Sequence, residues 1–175
     1  MTGLFAQMHV RAGAAGLGFA AILALFGASH DPRSAVLVWN VTASAPIGLY
    51  RVMHAAHAQR GDLVLVWPPD WVQHFASERH YLPLHVPMVK RIAAVMGEHV
   101  CAWQNTISID GKIAATRLST DGVGRALPAW EGCHVLRADE VFLLMKNVKA
   151  SFDGRYFGVV SSSSILGRLL PLWTH

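Results

Sequence analysis

A lysine placed among apolar residues is the side chain of this sequence with the clearest potential for chemistry. If residues 88–95 form a strand, Met88, Lys90 and Ile92 share one face, which puts an ammonium between two apolar neighbours. Burial there disfavours the charged form and lowers the pKa of the lysine, which then serves as a general base near neutral pH. From this segment alone, a lysine at a sheet edge that reaches water remains the competing interpretation.

The presence of a candidate nucleophile elsewhere in the chain favours the interpretation of Lys90 as a buried base. Ser44 lies in residues 40–50, where its hydroxyl is held between a predicted strand and a Pro-Gly turn. A serine hydroxyl attacks a carbonyl carbon when a neighbouring base takes its proton, and a lysine of lowered pKa is such a base. The sequence therefore offers a candidate nucleophile together with a candidate base.

Ten histidines raise the question of a metal site, and their spacing argues against one. The sequence has no His-Glu-x-x-His motif, and His54-x-x-His57 lacks a nearby carboxylate or third ligand. We expect no metal and no cofactor.

The first thirty residues must position the rest of the chain. An uncharged run from Ala12 to Ser29 reaches about 27 Å as a helix, close to the roughly 30 Å hydrocarbon core of a bilayer. It predicts an N-terminal transmembrane helix, with a cleaved signal peptide as the alternative. Arg11 and the terminal amine place the N terminus in the cytoplasm. We therefore expect a cytoplasmic tip and anchor in residues 1–33, and an extracytoplasmic domain in residues 34–175.

The predicted location outside the cytoplasm bears on the state of the two cysteines. Cys101 and Cys133 are too far apart for a Cys-x-x-Cys redox or zinc motif. In an oxidising compartment two lone cysteines favour one disulfide, here a link across neighbouring strands. Two small buried thiols are the alternative.

Composition agrees with a membrane-attached globular domain. Apolar residues make up 53% of the 175 and charged residues 15%, against a typical soluble share of about 25%. Disorder is excluded. A net charge of +4 without a Lys/Arg run argues against nucleic acid as a partner.

Past the anchor, short apolar runs punctuated by Gly, Pro, Asp and Asn predict a mainly β domain. Strands are predicted at residues 35–41, 49–53, 62–67, 88–95, 141–146 and 156–160. Two runs joined by Asp110-Gly111 predict a hairpin with a type I′ turn over residues 106–115. Residues 67–87 predict a helical or irregular insertion, and the apolar spacing of residues 165–173 predicts a helical tail.

Four motifs occur in order along the chain. They are Thr-Ala-Ser-Ala-Pro-Ile-Gly-Leu-Tyr at residues 42–50, Arg-Gly-Asp-Leu-Val at 60–64, Val-Lys-Arg-Ile-Ala-Ala-Val-Met-Gly-Glu at 89–98, and Ser-Phe-Asp-Gly-Arg-Tyr-Phe-Gly at 151–158. Together they resemble the type I signal peptidase superfamily, and specifically the TraF-type maturation peptidases of bacterial conjugation systems. The resemblance implies a β-rich signal-peptidase-like catalytic domain behind the anchor.

The resemblance also implies roles for individual residues. Ser44 is the nucleophile, Lys90 the general base, and Ser151 a hydroxyl that orients the lysine amine. Thr42 stands where the family has a hydroxyl that helps the Ser44 backbone N–H to form an oxyanion hole.

An ion-pair cluster is implied around the base. Asp153 and Arg155, with Arg91 beside the lysine, would lock the last strand against the lysine strand; a direct catalytic role for Asp153 stays open. Gly154 replaces a family serine and Val159 a proline, which bears on substrate fit more than on the dyad.

The function implied is a serine endopeptidase of the bacterial inner membrane, with its catalytic domain on the periplasmic side. Its membrane-embedded substrate is a pilin precursor, which it cleaves or cyclises. A general signal peptidase for secretory preproteins is one alternative, disfavoured by the Ser44-x-Pro-x-Gly-Leu-Tyr motif. A non-catalytic membrane subunit of a secretion or conjugation channel is another, disfavoured because Ser44 and Lys90 are both present.

Overall fold

The computed structural model describes residues 36–55 and 58–175, and its main elements are eleven strands. The predicted anchor at residues 12–29 and His57 lie outside these residues. No helix within the described residues is long and apolar enough to cross a membrane.

The larger sheet is antiparallel and has seven strands in the order β1-β2-β11-β3-β4-β9-β10. Its strands are β1 (Leu37–Asn40), β2 (Gly48–Met53), β3 (Leu63–Val66), β4 (Met88–Ala94), β9 (Glu140–Leu143), β10 (Val159–Ser161) and β11 (Ile165–Thr174). Most of the predicted strands are therefore present to within a few residues. The centre of the sheet is β3, whose four residues are all buried.

A smaller sheet has four strands in the order β7-β6-β5-β8. They are β5 (His99–Trp103), β6 (Thr106–Ile109), β7 (Lys112–Thr116) and β8 (Gly132–Val135). The predicted hairpin is β6-β7, and both of its turn residues have the positive φ that a type I′ turn requires, 48° at Asp110 and 73° at Gly111. Cys101 and Cys133 face each other across β5 and β8 and form a disulfide.

Two short α-helices and a 3-10 turn at Ser162–Ser164 join the strands of the described fold. Helix α1 (Asp70–Glu78) lies in the predicted insertion and buries Val72 and Ala76 in one cluster with Val64 and Val66 of β3. Helix α2 (Gly154–Phe157) is a single turn that follows Asp153, whose side chain accepts a hydrogen bond from the Arg155 backbone N–H.

That single turn corrects the strand predicted at residues 156–160. The Asp153 cap and the hydrogen bond from the Tyr156 N–H to the Asp153 carbonyl start a helical turn, so the strand begins only at Val159.

The predicted helical tail is also wrong, since residues 165–174 form the longest strand of the described fold. β11 lies between β2 and β3 and hydrogen bonds to both, while Ile165, Gly167 and Leu169 are buried with a period of two. Gly167 and Pro171 are poor helix residues, and a register shift next to Pro171 accommodates its missing donor.

Candidate active site

Lys90 lies in the middle of the larger sheet, on β4, with β3 and β9 on either side. Only 3% of its surface is exposed, and its neighbours on the same face, Met88 and Ile92, belong to the core. The lysine is therefore buried among apolar side chains, and the sheet-edge interpretation is wrong.

The environment of Lys90 suits a base. Burial removes the ammonium from water and lowers the Lys90 pKa to about 8; the Asp153 charge raises it and Arg155 lowers it. The Nζ atom hydrogen bonds to Ser151 Oγ at 3.1 Å, and Ser151 is itself buried. This contact fixes the direction of the amine, and a large share of it is neutral at pH 8.

A buried ion pair holds the segment that presents Ser151. Arg155 donates from Nε to Asp153 Oδ1 at 2.9 Å and from Nη2 to Oδ2 at 2.8 Å, with no more than 1% of either residue exposed. The guanidinium also donates to the carbonyls of Met145, Val148 and Lys149. Because the pair and its carbonyl contacts are satisfied, residues 145–155 form a braced loop around the lysine.

Arg91 does not join that cluster, which corrects the expectation from the resemblance. Adjacent residues of a strand point to opposite faces, so burial of Lys90 turns Arg91 the other way. Arg91 is exposed, and its side chain donates to the carbonyl of Gly61.

Ser44 lies in the loop between β1 and β2, which we call the nucleophile loop (residues 41–47). Its Oγ is 3.0 Å from Thr42 Oγ1, and Thr42 Oγ1 donates to Asn40 Oδ1 at 3.0 Å. Thr42 thus stands beside the candidate nucleophile, where an oxyanion donor is needed. Asn40 was not among the residues that the motifs pointed to; its position at the end of a predicted strand was the only signal.

The nucleophile loop reaches the lysine strand through Ala45. This residue packs in one core cluster with Val89, which precedes Lys90, and with Met145, whose backbone N–H donates to Asp153. Among the described residues, the hydrogen bonds of Ser44 and Lys90 go to Thr42 and Ser151 rather than to each other.

The arrangement combines a serine hydroxyl on a fixed loop with a buried, partly neutral lysine. A family model described as "Signal peptidase, peptidase S26" matches residues 7–173. The chain belongs to the S26 signal peptidase family. Membership implies a serine peptidase, which agrees with the resemblance drawn from the four motifs.

Proteins similar to this chain carry conjugation names. "Plasmid transfer protein TraF" of Escherichia coli is 32% identical over 171 residues, covering 92% of this chain and 95% of that protein. "Conjugal transfer protein TraF" of Agrobacterium fabrum (strain C58 / ATCC 33970) is 33% identical over 145 residues, covering 77% and 81%. A signal peptidase I structure from Enterococcus faecalis V583 is 22% identical, covers 64% of this chain and 96% of that one, and has a TM-score of 0.36.

The departure from the family pattern at Gly154 has a structural reason. A Cβ atom at this position would lie 2.6 Å from the Leu143 carbonyl oxygen and 2.6 Å from a ring carbon of Phe142. A serine would therefore collide with β9, so glycine is required by the packing of this particular S26 domain.

A cleft of about 300 Å³ opens beside the nucleophile loop and is lined by Pro46, Tyr50, Asp62, Arg91 and Leu169, among others. The Tyr50 hydroxyl donates to the Pro46 carbonyl at 2.6 Å, and burial raises the Tyr50 pKa. Among the described residues, no group of three or more His, Cys, Asp or Glu could hold a metal ion.

Proposed function

We propose that this chain is a membrane-anchored serine endopeptidase that processes a pilin precursor for conjugative transfer, with Ser44 as nucleophile and Lys90 as general base. The observation that carries the proposal is Lys90 itself, buried, directed by Ser151 and lowered in pKa to about 8. The names of the relatives support the conjugative role.

The chemistry begins with neutral Lys90. Its amine takes the proton of Ser44 as Oγ attacks the scissile carbonyl carbon, and the oxyanion is held by the Ser44 N–H and the Thr42 hydroxyl. Lys90 then gives that proton to the leaving amine as the C–N bond breaks, which leaves an ester on Ser44.

The ester has two fates. If water attacks, with Lys90 again accepting the proton, the product is a shortened pilin. If the N-terminal amine of the same substrate attacks, the product is a cyclic peptide.

The proposed reaction requires Ser44 to change its hydrogen-bond partner. At rest the Ser44 hydroxyl contacts Thr42, and it must exchange this contact for one with Lys90 before it can give up its proton. Catalytic contacts of this kind commonly tighten only when substrate is bound.

An exposed aromatic pair supports action at a membrane surface. Trp39 of β1 and Trp173 of β11 are 44% and 53% exposed and stack at 5.6 Å, close in sequence to the nucleophile loop and the chain end respectively. Trp side chains favour the bilayer interface, where a membrane-embedded precursor presents its cleavage site. The disulfide supports a periplasmic location of the catalytic domain.

The non-catalytic alternative leaves Lys90 unexplained. A buried ammonium destabilises a fold, and an apolar residue of the same length would fill the site without that cost. A channel subunit without activity has no need of it.

Topology is tested with a reporter. Alkaline phosphatase fused after His175 is expected to be active, because the fusion point follows the catalytic domain to the periplasm. An inactive fusion, together with an active cytoplasmic reporter at the same point, would contradict the location.

The activity is tested with the full chain in lipid vesicles, mixed with the pilin precursor of its transfer system or with a secretory preprotein. Mass spectrometry is expected to detect a shortened pilin, or a species lighter than it by one water if the product is cyclic, and no product with Ser44→Ala. Cleavage of the secretory preprotein alone would overturn the pilin substrate, and equal cleavage by Ser44→Ala would overturn the mechanism.

A further inference from the structure

We infer that Asn40 is a positioning residue that sets the direction of the hydrogen bonds running through Thr42 to Ser44. This inference rests on the proposed role of Ser44. Asn40 ends β1, is 5% exposed, and pairs across the sheet with Gly48, so its side chain lies inside the loop that joins the two strands.

The amide nitrogen of Asn40 is placed without ambiguity. Its Nδ2 lies 2.9 Å from the Thr42 carbonyl, 3.1 Å from that of Ala45 and 3.0 Å from that of Pro46. Carbonyl oxygens only accept hydrogen bonds, so a donor must face them. Asn40 therefore ties both ends of the nucleophile loop to β1.

The amide oxygen must then face Thr42. Asn40 Oδ1 lies 3.3 Å from the Thr42 backbone nitrogen and 3.0 Å from Thr42 Oγ1. Because an amide oxygen only accepts, the single hydroxyl proton of Thr42 points to Asn40.

The polarity of the next contact follows. With its proton committed to Asn40, Thr42 Oγ1 can only accept from Ser44 Oγ, 3.0 Å away. The resting chain of donors therefore runs from Ser44 to Thr42 to Asn40.

Asn40 thus controls two features of the reaction. It holds the loop that carries Ser44, and through the Thr42 backbone it keeps Thr42 Oγ1 beside Ser44, where the oxyanion forms. In the reaction, once Ser44 has left Thr42, the Thr42 hydroxyl turns its proton from Asn40 Oδ1 to the oxyanion. It touches neither the substrate nor the reacting atoms, so its influence on the rate passes through Thr42 and the loop.

The test is a double-mutant cycle on cleavage of the pilin precursor, using Asn40→Ala, Thr42→Val and the combined variant. Asn40→Ala is expected to lower kcat by about tenfold to a hundredfold, the range for loss or misplacement of an oxyanion donor, with little change in KM. The combined loss is expected to be smaller than the product of the two single losses by about threefold or more, because Asn40 acts through Thr42. The midpoint of the pH profile should stay in place, since Lys90 is untouched.

Gln73→Ala is the matched control. Gln73 lies in α1, is also a buried amide, and donates a hydrogen bond to the backbone carbonyl of Pro68. It should lower thermal stability without changing kcat. Asn40→Ala with wild-type kcat for its folded fraction, or single losses that simply multiply, would overturn the inference. If Ser44→Ala still cleaves, the proposed function fails instead, so the two failures are distinguishable.

Discussion

At the scale of single residues, the site depends on a lysine kept where its charge is unfavourable. Burial lowers the Lys90 pKa to about 8 from an ordinary value of 10.5, so below pH 8 the folded protein carries an ammonium that the unfolded chain would solvate better. Between the two values the unfolded chain binds the extra proton, and stability therefore rises with pH through that window. The reactive base is obtained at the expense of stability.

Lys90→Met tests this trade directly. The substitution keeps the length of the side chain and removes the charge, so the free energy of unfolding at pH 7 is expected to increase by about 2 kcal/mol. The rise in stability between pH 8 and pH 10.5 should disappear in the variant. Denaturant unfolding across this pH range measures both effects. An unchanged or lower stability at pH 7 would mean that Lys90 is well compensated in the fold.

At the scale of elements, β2 and β11 approach unusually closely below the nucleophile loop. Gly48 has a φ of 154°, and a Cβ atom there would collide with the carbonyl oxygen of Trp173 and lie 2.8 Å from the Cα atom of Thr174. The family motif places a glycine here, and the structure gives the reason.

Gly48→Ala is expected to displace the end of β11 and to lower the free energy of unfolding by about 1–3 kcal/mol, typical of overpacking. Gly61→Ala is a useful comparison, because Gly61 also has a positive φ but open space where its Cβ would be. Thermal unfolding of the two variants separates collision from backbone strain. An equal loss in both would assign the effect to backbone conformation alone.

An element can be predicted from the sequence when its own residues determine its conformation, and not when contacts with residues distant in sequence determine it. The β6-β7 hairpin and β4 follow from local pattern, since Asp110-Gly111 specifies the hairpin turn and β4 lies in a short, mostly apolar run. The tail at residues 165–174 does not, because its strand state comes from hydrogen bonds to β2 and β3, which are distant in sequence. The pairing of Asp153 with Arg155 was expected from the motif. The role of Asn40 was not, because its hydrogen bonds to the loop carbonyls exist only in the folded loop.

At the scale of the whole molecule, the smaller sheet is stapled by a disulfide away from the residues proposed for catalysis. Cys101 and Cys133 join β5 to β8, whereas Lys90 and Ser44 lie on or beside strands of the larger sheet. Stability and activity should therefore respond differently to its loss.

Replacing both cysteines by serine is expected to lower the free energy of unfolding by about 2–4 kcal/mol and to leave kcat near its wild-type value at a temperature where the variant is folded. Calorimetry measures the stability, and cleavage of the pilin precursor measures kcat. Peptide mapping of the membrane-anchored protein, alkylated from the periplasmic side without reductant, should recover the two cysteines linked; two freely alkylated thiols would contradict the linkage in the cell.

The central claim is that Lys90 acts by losing its proton, and Lys90→Arg tests it most directly. Arginine keeps the charge and much of the length, but a guanidinium with a pKa above about 12 does not deprotonate in a protein. Wild-type cleavage of the pilin precursor should rise with pH through a midpoint of about 8. The folded variant should be slower by about a hundredfold to ten-thousandfold at every pH. A folded Lys90→Arg enzyme that cleaves at close to the wild-type rate would contradict the account.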